Sequence, residues 1–442
     1  MTGSNPETGQ PTRYAAAPTQ PTAAATLPSH RGTFASLRLV NYRLFFFGML
    51  LSNTGLWMSR VAQDWLVLVN LTDHSSTALG TVTAIQFAPM PLLAPFAGTL
   101  ADRFDKRRLL MITQTLSAVT SLTLAALVLT GGVQLWHVYV LAGAQGVLNA
   151  LDNPTRQAFV SELVPPLFLP NAVALNSTSF HAARLLGPAA SGLLIGAFGV
   201  GPSILINGLS FAAVLAALRL MDAARLLPAP RPKGRGGVRE GFAYVRGRPD
   251  IVLVMALAFM LGTFGMNFQI TNALMATRVF NMGPEGYGLL GSIMALGSLA
   301  GALLAARRAR PTMPLLIGSL AAFTVLDIAD ALAPTYWLFA ALLIPVGLCT
   351  LTAMTTANAL VQLTTDPGMR GRVMALYMAV FMGGTPIGAP IIGLIGDTLG
   401  PRWTILIGAF GVGVAVVIAA IVQRGLHSPD DSRSPARSHA SR

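Results

Sequence analysis

The 442-residue chain is 53% hydrophobic and 11% charged, whereas an ordinary soluble domain is about 25% charged, so water is not its main solvent. The net charge of +13 does not indicate nucleic-acid binding, because the basic residues lie between apolar segments. The single cysteine, Cys349, excludes an internal disulfide and a thiolate metal cluster. Neither of the two lysines, Lys106 and Lys233, lies in a G-x-x-x-x-G-K-S/T phosphate loop, which argues against ATP-driven transport.

Apolar segments long enough to cross a bilayer follow one another along the chain. A hydrocarbon core about 30 Å thick requires about 20 residues per helix. Twelve segments fit this length, at residues 44–70, 78–101, 108–130, 136–158, 171–198, 202–220, 251–280, 287–306, 313–333, 335–360, 373–396 and 402–423. The sequence therefore predicts an all-α membrane protein with twelve transmembrane helices in two bundles of six, residues 38–221 and 251–423.

Three segments that are more polar than the spans flank and separate these bundles. Residues 1–37 and 424–442 lack apolar runs and are predicted to be disordered cytoplasmic tails. Residues 222–250 are basic and begin rich in Pro and Gly, so they are predicted to form a cytoplasmic linker. The end of this linker, which carries Phe242 and Tyr244, is a candidate interfacial helix.

Basic residues alternate between the predicted loops. Loops 2–3, 8–9 and 10–11 and the linker contain them, whereas loops 1–2, 3–4, 5–6 and 9–10 contain none. Cytoplasmic loops of membrane proteins hold the excess of Lys and Arg. An even number of spans separates each basic loop from the N-terminal region, which carries Arg38 and Arg43, so all of them lie on the same side of the membrane. Both termini are therefore predicted to be cytoplasmic.

The two bundles also contain short similar stretches. GTLADRFDKRR begins at Gly98 and GALLAARRARP at Gly301, and each follows the second span of its bundle. Residues 174–192 and 375–393 match in the same way on the fifth spans. Repeated halves place a binding site near the midplane in many secondary transporters, although a shared Gly and Ala bias also explains matches this short.

The segment GTLADRFDKRRLL, residues 98–110, concentrates charge in the connector between the second and third spans. Gly98 permits close helix approach, and Asp102 can cap a helix start, where exposed N–H groups favour an anion. The basic residues that follow can hold the loop in the cytoplasm. On charge alone, a loop that only sets topology explains the segment as well as a functional loop does.

This segment resembles the signature of the major facilitator superfamily, G-x-x-x-D-R-x-G-R-R/K-R/K. The matching residues are Gly98, Asp102, Arg103, Lys106, Arg107 and Arg108. Asp105 replaces the second glycine. The resemblance implies the major facilitator fold and a loop that latches its two pseudo-repeated bundles together on the cytoplasmic side. Asp152, at the cytoplasmic end of the fourth span, is a candidate partner for the loop arginines.

Other stretches resemble the bacterial drug exporters of this superfamily, which include enterobactin and macrolide exporters. They lie at residues 41–68, 151–165 and 371–377. This resemblance implies a transporter of the bacterial inner membrane.

A motif on the fifth span resembles the glycine-rich motif of proton-coupled antiporters, which ends in G-P-x-x-G-G. Gly187, Pro188 and Gly192 match it, and Ser191 replaces one glycine. A Gly-Pro pair bends a helix, and small residues allow close packing. The resemblance favours proton-coupled export, and an ordinary kinked helix is the alternative.

Ionisable residues within spans are functional candidates because hydrocarbon makes them costly. The candidates for proton coupling are Asp64, Arg60, Asp327, Asp330 and His181. Asp64 and Arg60 are four residues apart and can pair on one helix face. Asp64 lies about 30 Å from Arg43 at about 1.5 Å per residue, toward the outer side, where it could load a proton. A permanent ion pair is the alternative.

Polar residues on several spans are candidates to line a substrate cavity. They are Arg184, Gln86, Gln145, Asn149, Asn176, Asn267, Gln269 and Asn358. Arg184, near mid-membrane, could meet an anionic substrate or form an interhelical bridge. Drug antiporters of the superfamily often carry R-x-x-Q-G on the fourth span, but Ala142 stands at the arginine position before Gln145 and Gly146. Proton coupling would therefore depend on other residues.

Together these observations predict a monomeric secondary transporter that exports amphipathic small molecules, such as drugs or siderophore-like compounds, by alternating access and proton antiport. Its predicted partners are the lipid bilayer, a small-molecule substrate and protons, with no cofactor, metal or nucleic acid. The missing arginine on the fourth span favours a uniporter or importer of a small metabolite as the alternative. A non-transporting membrane receptor or scaffold would leave the loop signature without a purpose. Enzyme activity is not expected, because no metal set or nucleophile–base pair stands out.

Overall fold

The computed structural model describes residues 32–227, 238–307 and 310–426, and these residues fold into helices joined by short connections. Within this described part of the chain, twelve long helical spans form two halves of six, as predicted. In the first half these are α1 (Val40–Trp65, continued by a π-helical segment Leu66–Leu71), α2 (Ser76–Phe87 and Pro89–Arg103), α3 (Lys106–Leu129), α4 (Leu135–Leu163), α5 (Leu169–Phe198) and α6 (Val200–Leu220).

The second half follows a short linker helix, Val238–Arg246. Its spans are α7 (Pro249–Met260, Leu261–Gly265, Phe268–Leu274 and Met275–Val279), α8 (Pro284–Arg307), α9 (Met313–Ala331), α10 (Tyr336–Thr364), α11 (Arg370–Thr398) and α12 (Pro401–Leu426). The second and fourth pieces of α7 are π-helical. The linker helix lies where the sequence predicts an interfacial helix at the end of the linker, and Phe242 on it is 60% exposed.

Within the described residues, nine spans are long and apolar enough to cross a membrane by length and composition alone. The three that fall short are α1, α4 and α5, although α4 and α5 pass when taken as one pair bent by 119°. These three spans carry most of the polar residues that the sequence singles out in the first half. Their lower hydropathy therefore reflects polar side chains within a membrane protein.

The spans alternate in direction, so the molecule has two ends. We call the end where α1 begins the basic end, because it carries the loop Phe104–Asp105 and the linker helix, and we call the other the opposite end. Two hydrophobic cores each lie within one half, toward the basic end. A third core combines residues of both halves, including Leu66, Ile195 and Leu290. The halves therefore pack together at the opposite end.

The predicted N-terminal tail extends too far into the chain. Residues 1–31 lie outside the described part, but Ala35–Arg38 forms a 3-10 turn, in which Ala35 and Ser36 are buried. The Ser36 N–H donates to Asn171 Oδ1 at 2.9 Å. Since this contact packs the turn on α5, the first half begins before α1. At the other end, residues 424–426 belong to α12 and 427–442 lie outside the described part.

Candidate functional site

Asp397, near the end of α11, binds the start of α2 in the other half. Its carboxylate accepts hydrogen bonds from the Ser76 N–H at 2.8 Å and the Thr77 N–H at 2.9 Å, and from Ser76 Oγ at 2.6 Å. The N-terminus of a helix carries partial positive charge, so a carboxylate there is favourably placed. The opposite end is therefore joined by a charged cap that spans the two halves.

Gly192 on α5 and Gly288 on α8 allow these helices to touch across the halves. A Cβ on Gly192 would lie 2.5 Å from the Pro284 carbonyl oxygen, and one on Gly288 would overlap the Pro188 carbonyl. Close by, the Ala189 N–H donates to the hydroxyl of Ser292 at 3.0 Å. The antiporter-like motif predicted on the fifth span thus lies at the contact between halves.

Asp64 forms a third link between the halves at the opposite end. Its side chain is buried in α1, and its Oδ2 accepts a hydrogen bond from the Tyr287 hydroxyl of α8 at 2.7 Å. The ion pair with Arg60 that the sequence suggests is not formed among the described side chains. Arg60 lies instead over two aromatic rings, because cation–π contact satisfies its guanidinium face.

A polar cleft lies inside the first half. It is lined by Arg60, Gln63, Gln86, Gln145 and Asn207 among others. The Gln145 amide donates to Ser117 and Asn149, both at 3.2 Å. The predicted cavity residues Gln86, Gln145 and Asn149 are therefore brought together beside Arg60.

A separate pocket lies inside the second half. It is lined by Asp327 and Asp330 of α9 together with Asn267 of α7, among others. Both aspartates are buried, at 5% and 1% exposure. Asp330 Oδ1 and Asn267 Oδ1 have no hydrogen-bond partner among the described residues. These carboxyl groups therefore face an interior pocket.

The remaining predicted cavity residues do not form one site. His181 contacts the ring of Phe180 edge-on, and Asn358 accepts a hydrogen bond from Gln362. Gln269 uses its backbone carbonyl, 3.5 Å from the Tyr287 hydroxyl. Asn176 is half-buried on α5. Within residues 32–227, 238–307 and 310–426, no group of three or more His, Cys, Asp or Glu side chains is placed to hold a metal ion.

The charged loop at the basic end contacts only the first half through the residues described here. Lys106 pairs with Glu162 at 2.6 Å, and Arg107 donates to the Leu218 carbonyl at 2.7 Å. Asp105, which replaces the glycine of the signature, caps α3 by accepting from the Arg108 N–H at 2.8 Å. Arg103 and Arg108 are exposed. The side chain of Asp102 lies outside the described residues.

Two expectations about this loop are wrong in the structure. Asp152 does not bind the loop arginines: it pairs with Arg156 one turn along α4 and accepts from Thr113 and Gln114 of α3. These partners are nearer because α3 and α4 pack side by side. Gly98 makes no close helix contact, since nothing lies within 4 Å of a Cβ built there.

Two ion pairs at the basic end bind the second half to itself and to the linker helix. Arg372 of α11 pairs with Glu240 of the linker helix at 2.9 Å. Arg248 pairs with Asp250 at 2.7 Å, and this hydrogen-bonded carboxylate holds the pKa of the guanidinium above its usual range. As in the first half, these contacts do not reach across to the other bundle.

The comparisons with known proteins agree with this geometry. Residues 31–440 match the model of a family described as transmembrane secretion effector, within the major facilitator superfamily. The chain belongs to this family. It is 24% identical over 374 residues to the staphyloferrin A transporter of Staphylococcus aureus, covering 81% of this chain and 90% of that protein. It is also 24% identical to the enterobactin exporter EntS of Escherichia coli O1:K1, covering 86% and 91%.

A solved structure supports the major facilitator fold. A bacterial homologue of the human lysosomal transporter Spinster, in an inward-facing and unoccupied conformation, superposes with a TM-score of 0.71 at 14% identity, covering 87% of this chain and 97% of that one. The predicted membership of the superfamily, its fold and its resemblance to enterobactin exporters are thus confirmed. The family member described here is a membrane transporter of small molecules and not an enzyme.

Sequence reasoning about this transporter missed three residues. Tyr287 and Asp397 were not predicted, because a tyrosine and a carboxylate near the ends of spans are common at membrane interfaces. Trp57, which contacts both Arg60 and Arg184, resembles an ordinary core aromatic in the sequence. The available signal for Asp397 was an acidic residue directly after the apolar segment 373–396.

Proposed function

We propose that this transporter exports amphipathic small molecules, in the class of drugs and siderophore-like compounds, in exchange for protons. Two relatives named for export or transport of enterobactin and staphyloferrin A support this cargo class. The positive-inside rule supports an orientation with the basic end and both termini in the cytoplasm of a bacterial inner membrane. In that orientation the structure is the state closed to the outside.

The observation that carries the proposal is the hydrogen bond between Asp64 and Tyr287 across the two halves. For cargo to leave, the halves must separate at the opposite end, and this separation would expose Asp64 to outside water. Closing buries the carboxyl again, and a protonated carboxyl is buried at lower cost than an ionised one. A proton taken up outside would therefore favour return to the closed state and be released inside, which is the sequence of steps that antiport requires.

A uniporter is the second candidate, and Ala142 favours it. Alanine stands where drug antiporters often carry an arginine, so that arginine has no counterpart here. Ala142 is 2% exposed and belongs to the core shared by both halves. We favour antiport because Asp64 supplies an ionisable group at the contact that must open. A receptor or scaffold that does not transport has no use for such an opening contact. A single chain contains both halves, so we propose that the monomer is the working unit.

The test uses inside-out vesicles that contain the full chain and are energised to an acid interior. We expect an amphipathic cargo to release protons from vesicles with the wild type and not from vesicles with Asp64→Asn. The matched control is Asp73→Asn, the same chemical change at an exposed position shortly after α1; its positive φ of 45° is one that Asn also tolerates. Release should be unchanged in this control.

The outcomes separate the candidates. Proton release that persists in Asp64→Asn would remove Asp64 from coupling and direct attention to Asp327 and Asp330. A compound that equilibrates across the membrane without any proton movement would favour the uniporter. If no compound in a broad panel moves at all, export of this cargo class is contradicted.

A further inference from the structure

Two arginines from different helices lie against one indole ring. The guanidinium carbon of Arg60 (α1) is 4.8 Å from the centroid of Trp57, and that of Arg184 (α5) is 5.4 Å from it. Arg60 also lies 5.5 Å from the ring centre of Phe87 on α2. Neither guanidinium has an ion-pair or hydrogen-bond partner among the side chains and backbone groups that the structure describes.

Every polar group of this cluster is a hydrogen-bond donor. Arginine and tryptophan side chains carry N–H groups and no acceptor. The Trp57 Nε1 and the Arg60 Nε are buried and lack a partner among the described residues. Buried donors of native proteins are nearly always paired. The missing component of this cluster is therefore an acceptor.

Asp64 does not supply that acceptor. It is one turn from Arg60 on α1, but one of its carboxylate oxygens accepts from Tyr287, and it forms no ion pair with Arg60. The cluster thus brings two cationic groups together with one nearby acidic group. Uncompensated charge is costly within a membrane, so a bound anion would stabilise the pair of arginines.

The cluster is not fully enclosed by the protein. Arg60 and Arg184 are both half-buried rather than buried, and Arg60 lines the polar cleft in the first half. The opposite end is closed by α2 with α11 and by α5 with α8. The ring centroid of Phe180 lies 5.9 Å from that of Trp57. Phe180 is 40% exposed and offers an apolar surface beside the cationic groups.

We propose that Trp57, Arg60 and Arg184 bind the anionic group of the cargo, so that the preferred cargo is an organic anion with an apolar body next to its acidic group. This inference rests on the proposed function, which provides a cargo, but it narrows that cargo from amphipathic molecules in general to organic acids. Two planar guanidinium groups offer fixed forks of N–H donors that match a carboxylate. An interior-negative membrane potential would assist the outward movement of such an anion.

The test measures equilibrium binding to the full chain in nanodiscs of zwitterionic lipid, by calorimetry and without a proton gradient. The probes are 2-naphthoate and 2-naphthamide, which share an apolar body and differ in charge. We expect the wild type to bind the acid at least about tenfold more tightly than the amide, as charge-assisted hydrogen bonds imply. Arg60→Gln and Arg184→Gln should each reduce this preference, and the double variant should abolish it.

Three controls keep the test decisive. Arg43→Gln removes an exposed arginine of the same helix α1 and should leave the preference unchanged. Arg60→Lys keeps the charge without the planar fork and should retain part of the preference. Thermal unfolding of each variant in the nanodisc shows whether the helices remain folded, and a variant that unfolds is replaced in the comparison by its lysine counterpart.

Equal affinity for the two probes in the wild type, including no binding of either, would overturn the proposal. A preference that survives in the double glutamine variant would overturn it as well. If added phosphatidylglycerol removes the preference, the site belongs to a lipid headgroup and not to cargo. Because binding is measured without a proton gradient, a preserved preference for the acid with no proton release in vesicles would contradict antiport alone.

Discussion

The two ends of the molecule use similar polar contacts for different purposes. At the basic end, Lys106–Glu162 and Arg372–Glu240 each hold one half together with its own loops. At the opposite end, the Asp64–Tyr287 and Asp397–Ser76 hydrogen bonds join one half to the other. In the transport cycle proposed above, the basic-end contacts can therefore persist while the halves move, whereas the opposite-end contacts must break.

The close contact between the halves at the opposite end also depends on glycines, which carry no side chain. Backbone of one half lies where a Cβ would be at Gly80 and Gly393 in the α2–α11 contact, and at Gly192 and Gly288 in the α5–α8 contact. Glycine permits helices in membranes to approach closely. This close fit makes the closed state sensitive to a single methyl group, which gives the comparison between the ends a direct test.

The largest effect is expected from Gly288→Ala. The added Cβ would overlap the Pro188 carbonyl, and because backbone cannot move aside without separating α5 and α8, the closed state should lose about 1–3 kcal/mol. That corresponds to about a 5- to 150-fold shift toward opening at this end. Distances between spin labels on α5 and α8 should lengthen, and transport should fall.

The matched control for this variant is Gly318→Ala. Gly318 is also within a span, α9, and nothing lies within 4 Å of a Cβ built there. We expect distances and transport to stay at wild-type values. If the two variants behave alike, close approach at Gly288 does not limit closure of the opposite end.

A smaller effect is expected from Asp397→Asn. The substitution keeps the shape of the side chain but replaces charge-assisted hydrogen bonds to the start of α2 by neutral ones. It also replaces one acceptor oxygen by an NH2 group, which cannot accept a hydrogen bond from the N–H donors of α2. Hydrogen bonds to charged groups contribute about 1.5–3 kcal/mol against about 1 kcal/mol for neutral ones, so opening should increase about three- to thirtyfold. Spin labels on α2 and α11 report the change.

Asp73→Asn is again the control, because Asp73 lies at the same end and is exposed. It should not alter the distance between α2 and α11. An Asp397→Asn protein that stays as closed as the wild type would mean that apolar packing alone holds the opposite end.

The sequence was sufficient for the helices but not for their partners. Apolar segments in the sequence indicated where the helices of the described residues lie, since a helix in hydrocarbon must satisfy its own backbone, although α1, α4 and α5 are less apolar than the other nine spans. The cost of charge in a membrane pointed correctly to Asp64 and Arg184 as buried or half-buried polar groups. It did not indicate that Asp64 would bind Tyr287 rather than Arg60, because that choice depends on how two distant halves meet.

The loop residues show the same limit. Asp152 was matched with the loop arginines because both lie at the basic end, yet Arg156 and Gln114 are its partners. The order and length of the spans in the sequence predict how deep a residue lies in the membrane. They do not predict which residue of a neighbouring helix it contacts. Sequence reasoning therefore predicts depth better than contact.

The smallest effect is expected from Lys106→Gln, which tests the basic end. The pair with Glu162 is mostly shielded, at 13% exposure of each side chain, and its loss should cost about 1 kcal/mol of stability of the first half. Arg38→Gln is not a suitable control, because Arg38 has contacts of its own, so Arg43→Gln serves instead. Thermal unfolding in nanodiscs measures the loss, and spin-label distances at the opposite end should not change.

Transport by Lys106→Gln decides how the basic end works in the rest of the cycle. If the pair only holds the first half together, transport should fall no more than stability does. The superfamily resemblance implies instead that this loop latches the halves when the opposite end opens. A loss of transport far larger than the loss of stability would mean that Lys106 acts in that second state, and the two ends would then exchange roles during the cycle.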